Sequence, residues 1–123
     1  MVVLDRILSV LMILAGVWHA IGSIRYYQDE LTLLWALCSS MFIILFGAAS
    51  LLRASRSGDK PLAWICLVSG IAWIWAILRF ASITERWGYW HVLVVLIITI
   101  GMCIFSVRSM VLGRSQASAA ARV

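Results

Sequence analysis

Charge is scarce in this chain: ten basic and five acidic side chains serve 123 residues, about half the density of a soluble domain. That scarcity excludes a disordered chain and a coiled coil, and it argues against a soluble globular enzyme. Proline is almost absent, with Pro61 the single example. The three cysteines, Cys38, Cys66 and Cys103, are odd in number and have no C-x-x-C spacing. They exclude a disulfide scaffold and read as small buried apolar residues. There is no phosphate-binding loop, no Ser/His/Asp arrangement and no metal-ligand cluster, so the sequence offers no catalytic residue and no metal site.

What is present is apolar length. Apolar residues make up 64% of the chain, mean hydropathy is +1.05, and there are seven Trp. Four apolar runs, Ile7–Ile24, Leu31–Leu52, Leu62–Ile83 and Trp90–Val107, are separated by short polar breaks. A helix rises about 1.5 Å per residue, so about 20 residues cross a hydrocarbon core of ~30 Å. None of the runs alternates with the period of two of a barrel strand, and a backbone in lipid must satisfy its own hydrogen bonds. The expected fold is all-α: a four-transmembrane-helix up-down bundle, one domain over residues 1–112. Ile7–Trp18 also resembles a signal-peptide core with a small-x-small site at Ala20-Ile21-Gly22. The run continues past that site and little net charge precedes it, so it is read as a span.

The first and third breaks, Tyr26–Glu30 and Thr84–Tyr89, are short enough to force antiparallel hairpins. The middle break, Arg53–Pro61, places Pro61 in the first turn of the third helix. Residues 113–123 are small and polar and read as a flexible cytoplasmic tail. Placing the termini and middle break on one side gathers Arg6, Arg53, Arg56, Lys60, Arg108, Arg114 and Arg122 there, for a net charge of +5. The other side, with Arg25, Arg79 and Arg86 against Asp29, Glu30 and Glu85, is neutral. This is the positive-inside pattern, so both termini are expected in the cytoplasm of a bacterial cell, with the chain in its inner membrane. The basic charge then answers anionic lipid and not nucleic acid.

Shifting the chain by 54 residues lays Gly16 on Gly70, Arg25 on Arg79, Tyr26 on Phe80 and Gly47 on Gly101. These coincidences suggest two tandem-repeated hairpins related about an axis along the membrane normal. Small residues form stripes at helical spacing: Ser9, Gly16, Ala20 and Ser23; Ala36, Ser40, Gly47 and Ser50; Thr99, Cys103 and Ser106. Such stripes are contact faces, either inside one bundle or in a homo-oligomer.

No Asp or Glu falls within the four runs, which argues against a carboxylate-driven pump. His19 lies six residues before Arg25, roughly 9 Å inside the outer boundary. His91 lies near the outer start of the fourth helix. Trp18, Tyr26, Tyr27, Trp35, Trp73, Trp75, Trp87, Tyr89 and Trp90 gather on the same side. Trp75 and Arg79 are spaced i,i+4 for a cation–π contact. One reading is an interfacial anchor belt with snorkelling arginines. The other is an outward pocket formed by His19, His91, Arg79, Trp75 and Tyr26, which would take haem b or a quinone.

In length and helix count the chain resembles the small multidrug resistance family, but Leu, Met and Ile stand where that family carries a glutamate in its first helix. The run Gly16-Val17-Trp18-His19-Ala20-Ile21-Gly22 gives G-x-x-H-x-x-G near the outer end of the first helix. With four spans in a short chain, it resembles uncharacterised small bacterial four-helix membrane proteins of the DoxX-like kind. That resemblance implies an inner-membrane location and carries no activity. Three functions stay open: an accessory or interaction protein acting through helix packing in the bilayer, alone or within a larger complex; a redox-linked subunit holding haem or quinone; and a small transporter or pore former.

Overall fold

A computed structural model describes residues 2–56, 58–85 and 90–120, with side chains described as far as Val111. Four helices follow one another: α1 (Val2–Tyr26), α2 (Glu30–Ser55), α3 (Lys60–Thr84) and α4 (Trp90–Ala120). All four are long and apolar enough to cross a membrane. Each starts earlier or ends later than its apolar run, because charged residues at a helix end still complete the backbone ladder. Of the tail expected over 113–123, residues to Ala120 are helical, and 121–123 lie outside the described residues.

The helix ends carry recognisable stops. Asp29 caps α2, its carboxylate accepting from the Thr32 amide at 2.8 Å and the Thr32 hydroxyl at 2.6 Å. Asp59 caps α3 through the Leu62 amide at 3.1 Å, with Pro61 in the first turn, where a missing N–H costs no helical bond. Glu85 closes α3 in the left-handed region at φ 54°, its amide donating to the Ala81 carbonyl.

Consecutive helices are antiparallel neighbours, and α4 closes back on α1. The α1–α2 pair is the most intimate, followed by α3–α4; α2 touches α4 lightly across the diagonal. Glycine sets the close approach in the first hairpin. A Cβ on Gly47 would come within 3.0 Å of the Ser9 carbonyl oxygen and 3.1 Å of the Ile13 amide nitrogen, and one on Gly16 would meet Ile43 and Ile44. In the second hairpin the Cys103 thiol occupies the space left open at Gly70, with Phe46 of α2 beside it. Gly101 faces only the tip of Leu8, from α1. The two hairpins therefore share a plan but not a packing.

The cross-section is inverted relative to a soluble bundle. Ser9, Ser23, Ser40, Ser50, Thr99 and Ser106 are buried, while Trp18, Leu45, Ile97 and Ile104 lie outside. All the small-residue stripe positions are buried or half-buried in this one bundle, so those faces already have their partners. Most of the buried hydroxyls donate to the carbonyl four residues back, as Ser9 does to Asp5 and Ser106 to Met102. A hydroxyl satisfied within its own helix is inexpensive to bury, and its small size lets helices approach. Midway along the axis, Met12, Ile43, Phe46 and Met102 form an apolar plug.

One expectation needs correcting. Arg53 reads in the sequence as a surface charge ending the second span, and Asp5 as a carboxylate at the membrane edge. Instead the Arg53 guanidinium is fully buried, with one nitrogen donating to Asp5 at 2.6 Å and another to Ser109 at 3.3 Å. The apolar run ends one residue too early to reveal this: Arg53 continues the inward face of Phe46, Gly47 and Ser50. The pair cancels itself, so the charge difference between the two ends is unchanged.

Candidate functional site

At the end carrying both hairpin connections, the four helices part around a cavity of about 480 Å³. Its wall takes His19 from α1, Thr32 to Ile43 from α2, Trp73 to Phe80 from α3 and His91 to Val95 from α4. Thr32 stands near the start of α2 and Ile43 eleven residues deeper, so the cavity reaches roughly 16 Å along the axis. Its floor is the apolar plug, which shares Ile43 with it.

The sequence places His19 and His91 at different depths, and the structure brings both onto this one cavity because it extends far enough along the axis to span the difference. His91 sits at the shallow end, edge-on to Trp90 at 5.9 Å between ring centres. His19 is held from the side: its Nδ1 lies 2.8 Å from the Ser40 hydroxyl. Ser23, one turn on, donates to the His19 carbonyl at 2.8 Å.

The other three candidates stand elsewhere. Tyr26, Trp75 and Arg79 are exposed and do not line the cavity. Tyr26 packs edge-on against Tyr27, which does line it. The aromatic crowd thus divides in two. Trp18, Trp75 and Trp90 face outward, as an anchor belt requires, and Trp73 belongs to the cavity wall, while Trp35 borders the cavity and is itself largely exposed. Trp73 also packs on Phe42 at 5.1 Å between ring centres. Trp87, Tyr89 and Arg86 lie outside the described residues.

Sequence reasoning missed Thr32, Ser39, Phe80 and Val95 as wall residues. Ser39 was legible in part, being next to the Ser40 stripe position. Phe80 is the repeat partner of Tyr26, but faces the cavity while Tyr26 does not. Among the described residues no group of three or more His, Cys, Asp and Glu side chains is placed to hold a metal. The three cysteines are free thiols: Cys38 exposed, Cys66 buried and Cys103 half-buried.

Chemically, the cavity is an aromatic and aliphatic chamber with a few polar atoms. Among the described residues no carboxylate, lysine or arginine lines it. It can receive an amphipathic molecule and orient it by hydrogen bonds from the two imidazoles, the Ser39 and Thr32 hydroxyls and Tyr27. Comparison with protein-family models, curated proteins and solved structures returned no match.

Proposed function

We propose that this chain is a small, non-catalytic accessory protein of a bacterial inner membrane that holds a small amphipathic ligand at its hairpin end. The cavity carries the reading. Its volume lies within the range of about 300–1,000 Å³ usual for small-molecule sites, and its walls combine apolar surface with a few convergent polar atoms. The charge pattern supports an orientation with both termini in the cytoplasm, so that the cavity opens on the outer side. The G-x-x-H-x-x-G run puts its histidine on the cavity wall, in keeping with a DoxX-like architecture. Larger assemblies would form through the aliphatic outer surface, since the small-residue faces are engaged within the bundle. The plug of Met12, Ile43, Phe46 and Met102 closes the axis and weighs against a pore.

The test is equilibrium binding to the protein in lipid nanodiscs, using an alkyl-substituted benzoquinone, its hydroquinone and the dimethyl ether of that hydroquinone. At least one should bind saturably at one site per chain, and Ala36→Trp and Ala76→Trp, which fill the cavity, should abolish it. Absence of saturable binding by all three, or binding indifferent to the filling substitutions, overturns the proposal.

Two histidines on one cavity also support a second reading, in which haem b is the occupant and His19 and His91 are its axial ligands. A Soret band in protein expressed with added haem, lost in His19→Ala, would assign the cavity to haem. Its absence would leave the cavity to the smaller amphiphile.

A further inference from the structure

We infer that the occupant of the hairpin-end cavity is a neutral aromatic amphiphile that donates a hydrogen bond, of the phenol or hydroquinone class, and that Nε2 of His19 accepts it. This inference rests on the ligand-binding reading above and adds the chemistry of the ligand. It follows from where the protons of the wall already go.

Ser40 has one hydroxyl proton, and it is donated to the Ala36 carbonyl at 2.9 Å. With the Ser40 proton on that carbonyl, the inference assigns the 2.8 Å contact between the same oxygen and His19 to Nδ1–H as donor. A neutral imidazole protonated on Nδ1 carries its lone pair on Nε2. The two other aliphatic hydroxyls of the wall are committed in the same way. Ser39 donates to the Trp35 carbonyl at 3.0 Å, and Thr32 to the Asp29 carboxylate at 2.6 Å. His19, Ser39 and Thr32 consequently face an occupant as acceptors. Trp73 supplies the complement: its indole N–H is buried and has no acceptor among the described residues. A hydroxyl on an aromatic ring matches both, donating to His19 and accepting from an indole. A molecule with carbonyl oxygens alone sets lone pair against lone pair at His19.

Charge narrows the class further. An ammonium group would also donate, but among the described residues no carboxylate lines the cavity to balance it. Asp29 reaches the wall only through Thr32 and is itself exposed to water, where its field is screened. Enclosing an uncompensated cation is unfavourable, whereas a neutral hydroxyl loses little once bonded. The ring itself has aromatic neighbours in Tyr27, Trp35, Trp73 and Phe80.

The experiment uses the three probes above under reducing conditions for the hydroquinone. The hydroquinone should bind at least about tenfold more tightly than its dimethyl ether, since a site built to accept a hydrogen bond rejects the analogue that cannot make one. His19→Phe should bring the two within about twofold of each other, and Trp75→Phe, on the outer surface and off the wall, should keep the preference. Should His19→Phe fail to fold, the imidazole ¹⁵N shifts of His19 in the unaltered protein report the tautomer directly. The Nδ1–H form is expected, and Ser40→Ala should weaken both that signature and the preference. Equal affinities for hydroquinone and ether, a preference that survives His19→Phe, or the Nε2–H tautomer overturns the inference while leaving the ligand-binding reading intact. No saturable binding by any probe overturns both.

Discussion

At the terminal end of the bundle, Arg53, Asp5 and Ser109 draw three helices together around a buried ion pair. At the hairpin end, the same helices stand apart around some 480 Å³ of open space edged by two histidines. Both ends place polar side chains inside an apolar sheath. At the first, full charges must be matched and the packing closes on them, because an unpaired ion in such surroundings is untenable. At the second, the polar atoms are neutral and mostly satisfied within their own helices, so the walls stay apart at little cost. The contrast separates a structural clasp from an open cavity: one end holds the helices together, and the other leaves space between them.

Breaking the clasp should have the largest effect. Arg53→Ala or Asp5→Ala leaves an unpaired buried charge and should destabilise the fold by about 3–5 kcal/mol. Replacing both with leucine should restore stability close to the starting value, as measured by thermal unfolding in detergent. A double variant as unstable as either single one would refute the clasp.

Next comes the close packing between the ends. Gly47→Val should cost about 1–3 kcal/mol, because backbone of α1 stands where the new atoms must go. Gly101→Ala, which meets only the flexible end of Leu8, should cost less than Gly47→Val in the same unfolding assay.

A smaller effect of opposite sign is expected at the hairpin end. Nothing lies within 4 Å of a Cβ built on Gly22, so Gly22→Ala should stabilise α1 by about 0.5–1 kcal/mol through its helix propensity. Ligand binding should not change. Loss of binding would mean that the second glycine of the G-x-x-H-x-x-G run serves the site directly.

The smallest effect concerns the rim of the cavity. The Thr32 hydroxyl and amide hold the Asp29 carboxyl below its ordinary range. With the folded value lowered, the cap is fully formed above the ordinary carboxylate range and is lost only as pH falls through the lowered value. The Thr32 amide resonance should therefore stay constant from neutral pH through the ordinary carboxylate range and shift below it. A shift centred at the ordinary value would show that the cap does not form.

Much of the fold was legible because lipid imposes simple rules. Run length required helices, short breaks required hairpins, and the Ser/Gly/Ala stripes marked the inward faces before any helix was placed. The site was legible only in part. His19 flanks such a stripe, and so reaches the cavity. Tyr26, Trp75 and Arg79 fall at the outer end with the other aromatics, but an anchor belt and a cavity wall have the same composition at the same depth. Only the rotation of each helix about its axis separates Trp73, on the wall, from Trp75, two residues on and facing outward.

The sequence by itself determined a four-helix membrane architecture, its hairpins, its inward faces and the unequal charge of its ends, since these depend on hydropathy, spacing and count within single segments. The tertiary structure decided that Arg53 finds Asp5, that His19 shares a cavity with His91, and that Ser40 stands against one imidazole nitrogen of His19. Those are relations between helices. They depend on how each helix is turned and how closely its glycines let the next one approach, and no single apolar run records either.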